Sequence, residues 1–506
     1  MKKKIHNIDN LKRIILTLKK KNKKVALCHG VFDLLHPGHI HHFEEAKKNS
    51  DILVVSITSD EKVIKGPGRP YFNKKLRMHS LASLECVDYV VSSEEKSAID
   101  IIKNIKPDLY VKGKEYQKFG DDITGKINLE INEVKKNKGK ILFTNGPTFS
   151  SSKILNDEFF FNKSQSSFIK KLKSKYNSKM IIECLDKVSK NTPLVIGEAI
   201  IDEYVFCSAV GKSGKEAYLV MQEKKSEIYL GGVLSIAQNL SSISKNINLI
   251  TTLGSVKSFK DKILKNLKKN INLIYNIKKN SSTIVKKRFI EEIDNVKMLG
   301  IYTLSEEPSS EKEDKFLVKK FKILSNKSDL IILADYGHGF FNKSIVKEIH
   351  KTNKFLAINA QVNSSSIGYH SITKYKKADL ILMNERELRH EFRDKTSSRA
   401  ELIRRLATRI KCKYIAITHG KNGATIFSTK NKELTHVPAF AKKVVDKVGA
   451  GDSLFPILAT CLRLNLPTDI SLFIGSIAAA INAESHASKD TLDSIYFKKF
   501  IEHSLK

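Results

Sequence analysis

Short apolar runs and amphipathic stretches alternate along almost the whole chain. Ile8, Leu11, Ile14, Ile15 and Leu18 recur at three- and four-residue spacing, which lines one face of a helix. Val25 to Cys28 is continuously apolar and predicts a buried strand; Gly30 and a turn follow, and a polar helix opens at His36-Pro37-Gly38-His39. The strand signal returns at 51–58 (DILVVSIT), 87–92 (VDYVVS) and 108–113 (DLYVKG), with helix-like stretches at 73–85 and 97–105 between them. Such alternation predicts a doubly wound parallel sheet, with ligands at the carboxyl ends of its strands. His36 and His39 fall after the first of these strands, Asp60 after the second and Lys112-Gly113 after the fourth.

A longer series begins at 194–206 (LVIGEAIIDEYVF), continues through 227–240, 248–254, 282–290, 329–341, 355–361, 378–389 and 414–427, and ends in the apolar helix LFPILATCL at 454–462. It predicts a second, larger α/β domain. Between the two series, Asn162 to about Pro193 is first rich in lysine and serine and then amphipathic (IIECLDKVSK), which reads as a linker and a packing helix. The expected domains are 1–158 and 191–506, joined by 159–190.

Composition narrows the class. A chain of 506 residues is too long for one core, and 41% hydrophobic with 28% charged residues describes a globular protein. The formal charge of +35 would suit nucleic acid, an anionic membrane or phosphorylated substrates. The lysines, however, are spread as pairs and triplets instead of forming a stripe, so no nucleic-acid partner is expected. Six cysteines, at 28, 86, 184, 207, 412 and 461, show no CxxC spacing and read as reduced thiols. The first residues lack the apolar core of a secretory signal, and no window reaches the roughly 18 apolar residues of a spanning helix. A cytoplasmic protein without a membrane partner is expected; a homodimer stays open.

The candidate chemistry centres on Cys28 to Ala46, CHGVFDLLHPGHIHHFEEA. Strand, glycine turn and helix start form an anion-binding arrangement, because the N–H groups of a helix's first turn point outward with the positive end of its dipole. Pro37 suits the first helical position, and His36 and His39, three residues apart, project from one face. Two imidazoles there can donate hydrogen bonds to a triphosphate as charge builds on it. Taken alone, the pair also fits surface histidines or, with His29, His41 and His42 nearby, a zinc site, although no cysteine pair or carboxylate stands at ligand spacing. Lys65-Gly66-Pro67-Gly68-Arg69-Pro70 is a candidate lid able to place Lys65 on a polyphosphate. Ser150, Ser151 and Ser152 precede an apolar helix start, where they serve as N-caps or cradle a phosphate.

In the second series, Asp446-Lys447-Val448-Gly449-Ala450-Gly451-Asp452-Ser453 leads into the apolar helix. Gly449 and Gly451 let backbone N–H groups converge on a phosphate. Asp452 beside them can accept the proton of a hydroxyl that attacks the γ-phosphate of ATP, or it simply caps the helix.

GVFDLLHPGH, TSDE, KGPGRP, LRM, LECVDYVV, PDLYVKG and FSSSKIL follow in this order between Val25 and about Leu155. Together they resemble the nucleotidyltransferase family of the glycerol-3-phosphate cytidylyltransferases and, more closely, the heptose-1-phosphate adenylyltransferase domain of lipopolysaccharide biosynthesis. The resemblance implies that His36 and His39 bind nucleotide phosphates and stabilise the transition state, that Lys65 and Ser150 to Ser152 reach phosphates, and that Gly30, Phe32 and Asp33 lie along the nucleotide, ATP or CTP.

GAGD at 449–452, with Asn384-x-x-Glu387 and Thr418-x-Gly420-x-x-Gly423, resembles the ribokinase-like sugar kinases. That likeness implies Asp452 as base, the amides of Gly449, Ala450 and Gly451 as anion hole, and Asn384 and Glu387 arranging phosphate and Mg2+, Glu387 directly or through water. It also implies Thr418, Gly420 and Gly423 beside ATP, and Asp202, Gly231 and Gly232 on the sugar. Ser235 stands where many relatives carry Asn, and Asn359-Ala360-Gln361 where the heptose kinases have Asp-Pro, so the sugar itself is not fixed by the likeness.

The expected fold is thus α/β, a Rossmann-like HxGH nucleotidyltransferase domain followed by a larger ribokinase-like domain, in reverse order to the usual bifunctional heptose enzyme. The expected function is ATP-dependent phosphorylation of a sugar or sugar phosphate, and nucleotidyl transfer to a sugar phosphate with release of pyrophosphate, giving an ADP-heptose-like precursor of surface polysaccharide. Two rivals stand beside it. One keeps the transferase and makes the kinase-like half degenerate, against which intact Asp452, Gly449, Gly451 and Glu387 argue. The other is an RNA-binding, synthetase-like protein, for which the chain has no KMSKS-like loop.

Overall fold

The computed structural model describes residues 4–64, 69–95, 97–116, 126–145, 161–188, 192–304, 309–362, 366–484 and 492–505. The chain divides into two compact units, Met1–Ser166 with Ile495–Lys506, and Ser167–Ser494.

In the first unit, β1 (Ile5–His6), β2 (Val25–Gly30), β3 (Ile52–Thr58), β4 (Tyr89–Ser93), β5 (Leu109–Gly113) and β6 (Lys140–Thr144) form one six-stranded sheet in the order β1-β4-β3-β2-β5-β6. All of its pairings are parallel. Strand side chains alternate between faces, and the core follows that alternation. Ala26, Cys28, Leu53 and Val55 pack with Phe43, Met78 and Leu81, whereas Val25, Leu27 and Val54 pack with Leu11, Ile15, Ile101 and Ile105. Helices Pro37–Lys48 and Lys74–Ala82 therefore cover one face, and Ile8–Lys20 and Ile99–Ile105 the other. The strand order turns back between β2 and β5, so the crevice where such sheets bind ligands opens at the carboxyl end of β2.

The second unit holds two sheets. β7 (Leu194–Gly197) continues after one residue into β8 (Ala199–Lys212), followed by β9 (Leu219–Gly232), β10 (Ile247–Gly254), β11 (Ile271–Lys278), β12 (Ile284–Glu291) and β13 (Val296–Thr303). Then come β14 (Leu330–Asp335), β15 (Phe355–Ala360), β16 (Leu380–Asn384), β17 (Tyr414–Thr418), β18 (Ala424–Ser428) and β19 (Glu433–Val437). The main sheet runs β11-β10-β7-β14-β15-β16-β17-β18-β19, and a four-stranded sheet runs β13-β12-β8-β9. The main sheet is parallel from β11 to β17. Its order turns back between β7 and β14, which puts Glu198 and Asp335 at the switch point.

Three local expectations change. The run 194–206 is two strands of different sheets, because the chain leaves the main sheet after Gly197. The stretch read as linker contains two helices, Lys163–Lys173 and Ser178–Val188. Lys163, Lys170 and Lys171 take exposed positions there while Ile169 and Leu172 are buried, so the lysines decorate a helix. The last residues, expected with the second domain, group with the first unit as helix Ser494–Ser504.

Candidate active sites

In the first unit, His36 is the N-cap of helix Pro37–Lys48, with Pro37 in its first turn. The His36 Nδ1 accepts the His39 N–H at 3.3 Å, and the two rings stack with centroids 3.8 Å apart. His36 is buried and His39 half-buried, with the Phe32 ring edge-on to His39 at 5.3 Å. The helix start thus presents a paired imidazole wall at the carboxyl end of β2. Gly30 lies directly beneath Phe32, whose ring atoms stand 2.9–3.2 Å from where a Cβ would be. The buried Asp33 carboxylate accepts the N–H groups of Tyr71 (2.8 Å) and Phe72 (2.9 Å) and pairs with Arg69, so in this structure it ties down the segment that follows the glycine-rich loop. Lys65, Ser150, Ser151 and Ser152 lie outside the described residues.

Buried polar groups support this wall. Arg77, fully buried, donates to the carbonyls of Val31 (2.6 Å) and Thr58 (2.8 Å) and to Asp60 (2.6 Å), locking together the loops after β2 and β3. His29 meets Ser56 Oγ at 2.6 Å; burial, then nearby Lys112, lowers its pKa to about 4. Lys112 at the end of β5 pairs with Glu130 at 3.3 Å, and Glu130 also accepts from the Tyr110 hydroxyl and the Ala98 N–H. The LRM motif carries Arg77, yet periodicity alone cannot show that a charged helix residue points inward.

In the second unit, Gly449 is the N-cap of helix Ala450–Arg463 with φ +85°, a left-handed conformation that a side chain would strain. At Gly451 a Cβ would meet open space, so the first turn is accessible. Asp452 is in this turn, and its Oδ1 accepts the Tyr336 hydroxyl at 3.0 Å. Burial raises its pKa to about 6, against the opposing effect of the tyrosine bond. Tyr336 follows β14 and its N–H donates to Glu198, which also receives the N–H groups of His338 and Phe340. Burial and neighbouring Asp335 raise the Glu198 pKa to about 7.

The small sheet adds the sugar-side candidates. Asp202 on β8 pairs with Arg288 on β12, and a Cβ at Gly231 would fall 2.1 Å from the Asp202 Oδ2, so a side chain there would displace the carboxylate. Gly232 caps helix Val233–Leu240. Lys286, buried on β12, feels both Asp202 and Asp452, while desolvation lowers its pKa. Tyr204, Asp446 and Lys297 form a further cluster: the tyrosine hydroxyl is 2.7 Å from Asp446, which Lys297 also contacts.

On the far side of the sheet, Asn384 ends β16 and Thr418 ends β17, directly paired in register. Asn384 and Glu387 form a reciprocal capping box: the Asn384 side chain accepts the Glu387 N–H at 2.9 Å, and Glu387 Oε2 accepts the Asn384 N–H at 2.7 Å. Burial raises the Glu387 pKa to about 7, with Asp452 adding to the effect. Gly420 borders open space, whereas Gly423 packs against the Val437 carbonyl. Glu198, Tyr336, Lys286 and Arg288 are the members that sequence reading missed; only the register of the strands brings them to Asp452 and Asp202. Among the described residues no helix is long and apolar enough to cross a membrane.

Residues 27–177 match the cytidylyltransferase-like family and residues 191–495 the pfkB family carbohydrate kinases. The chain is similar to the bifunctional protein HldE of Geobacter metallireducens, 41% identical over 129 residues, covering 25% of this chain and 26% of that protein. It is also similar to the bifunctional protein HldE of Helicobacter pylori, 44% identical over 108 residues, covering 21% and 23%. The chain spans about a quarter of the length of these curated relatives. A crystallised phosphofructokinase-2 mutant of Escherichia coli shares the fold, with TM-score 0.50 and 14% identity over 62% of this chain and 99% of that one. A nucleotidyltransferase-type domain therefore precedes a carbohydrate kinase domain, and because the second match spans more than half of its residues, the chain belongs to the pfkB family of carbohydrate kinases.

Proposed function

We propose that the chain is a bifunctional enzyme of nucleotide-sugar synthesis. The kinase unit transfers the γ-phosphoryl group of ATP to a hydroxyl of a sugar or sugar phosphate. The hydroxyl oxygen forms the new P–O bond, its proton passes to the Asp452 carboxylate, and ADP leaves. The N–H groups of Gly449, Ala450 and Gly451 face the charge that develops on the phosphoryl oxygens, and Asp202, Gly231 and Gly232 hold the sugar. Asn384, Thr418, Gly420 and Gly423 border the nucleotide. In the transferase unit a phosphate oxygen of the sugar phosphate attacks the α-phosphorus of ATP or CTP, and pyrophosphate leaves while His36, His39, Lys65 and Ser150 to Ser152 bear on the phosphates. Gly30 and Phe32 floor that site; Asp33 shapes it through the 69–72 segment. The resemblance to the heptose enzymes supports an ADP-heptose-like product.

Mg2+ would neutralise phosphate charge in both reactions. Glu387, a buried carboxylate whose Oε2 accepts the Asn384 N–H, would hold that ion directly or through water, as Mg2+ is commonly bound through one or two carboxylates together with substrate phosphates.

The observation that carries this reading is Asp452, partly buried at a glycine-opened helix start, oriented by Tyr336, with its pKa held at about 6 by burial. A base near neutral pKa is suited to take a hydroxyl proton at physiological pH. Asp452→Asn should abolish ATP-dependent sugar phosphorylation and spare pyrophosphate release, and His39→Ala should do the reverse. Removing one stabilising donor typically costs on the order of 10²-fold. Loss of both activities in either variant would contradict two separate sites.

A further inference from the structure

Lys286 has no part in the chemistry described so far, and it stands inside the kinase centre. β12 pairs with β8 in parallel with Lys286 directly opposite Asp202, so both side chains leave the small sheet on one face. On the other side its register partner is Tyr302 of β13. Lys286 is buried, 9% exposed, and its ammonium lies 5.8 Å from the Tyr302 ring centroid and 5.7 Å from that of Tyr336. The Tyr336 hydroxyl is in turn 3.0 Å from Asp452. The ammonium is therefore held against the residue that orients the proposed base.

The neighbouring charges are matched among themselves. On the same sheet Lys287 pairs with Glu203, Arg288 with Asp202, and Lys297 with Asp446. Glu198 receives the N–H groups of Tyr336, His338 and Phe340. Among the described residues the Lys286 side chain forms no hydrogen bond or ion pair; it meets two aromatic faces, while Asp202 and Asp452 act on it from longer range. A cation taken out of water without a close counter-ion is unfavourable, so an arriving anion completes this position. Phosphoryl transfer brings one to it, because the accepting hydroxyl must lie between Asp452 and the phosphorus.

We propose that Lys286 is a catalytic residue of the kinase unit whose ammonium donates a hydrogen bond to a non-bridging oxygen of the γ-phosphoryl group in transfer. The proposal rests on the kinase reading with Asp452 as base. As the sugar hydroxyl oxygen bonds to phosphorus and the bond to the ADP oxygen breaks, Asp452 takes the hydroxyl proton and Lys286 keeps its own. Its charge also offsets the repulsion that a phosphoryl anion would meet from the Asp202 and Asp452 carboxylates.

The test compares Lys286→Met, which keeps the length of the side chain and removes the charge, and Lys286→Arg, which restores a cation, with the parent protein. Initial rates are measured with Mg2+, ATP and five-carbon and seven-carbon aldoses, each with and without a terminal phosphate. In Lys286→Met kcat should fall about 10²-fold with every sugar accepted, with KM nearly unchanged, and Lys286→Arg should recover part of it. An unchanged kcat overturns the proposal. So does a loss confined to phosphorylated sugars and carried by KM, which would put the ammonium on the sugar's own phosphate. If the parent phosphorylates none of these sugars, the reading of Asp452 as base fails first, and calorimetry with ADP and with ADP plus beryllium fluoride, an occupant of the γ-phosphoryl position, still decides Lys286. The gain in affinity from the fluoride should shrink in Lys286→Met; an equal gain overturns the proposal.

Discussion

Asp452, the base we propose for the kinase unit, and Tyr336 show how one hydrogen bond tunes a carboxylate. The tyrosine hydroxyl donates to the carboxylate, stabilising the charged form that takes the proton, while burial favours the neutral form and sets the pKa at about 6. Tyr336→Phe removes the donor, so the Asp452 pKa should rise and the acidic limb of the kcat–pH profile should move to higher pH. A bond to a charged group is worth about 1.5–3 kcal/mol, so the move should be about one pH unit or more. A superimposable profile would show that Tyr336 does not govern the base. Arg77 plays the corresponding part in the first unit, where its guanidinium holds two backbone carbonyls and Asp60. The LRM motif contains Arg77, but neither its supporting contacts nor those of Tyr336 can be read from the sequence, because the partners lie on segments distant along the chain.

At the scale of an element, the helix that starts at Asn384 serves two purposes. Its N-x-x-E pattern is a capping box, which alone accounts for both residue types, and the same carboxyl lies near enough to Asp452 to raise its own pKa. Asn384→Ala should cost about 1 kcal/mol and lower the thermal midpoint by roughly 2–4 °C. Glu387→Gln keeps a competent capping partner but removes the titration. The Glu387 pKa is raised to about 7 in the fold, so the folded state binds its proton more tightly than the unfolded chain. Its contribution is present at low pH and lost as pH rises through about 7. Scanning calorimetry between about pH 5 and 8 should therefore show a flatter decline of the midpoint in Glu387→Gln than in the parent; equal slopes would remove Glu387 from the account.

For the whole molecule, the charge of +35 is spread over a chain whose two units each carry a helix start that we propose faces phosphate. Lysines dispersed along the chain give long-range attraction to polyanions. Any RNA binding should be indifferent to sequence and lost between about 50 and 200 mM salt, as judged by gel shift; a complex that survives the higher salt would revive a nucleic-acid role.

Local pattern and short motifs were enough for the class and order of the two domains, the His36–His39 helix start and the glycine-opened turn at Asp452. These depend on neighbours a few residues apart, through strand alternation, helix spacing and the backbone freedom of glycine. The division of 194–206 between two sheets, the capture of Asp33 by the 69–72 segment, and the approach of Tyr336, Glu198 and Lys286 to Asp452 depend on register between strands remote in the chain. Register is set when whole faces are buried together, so the tertiary structure alone decided which polar groups support each of the two helix starts.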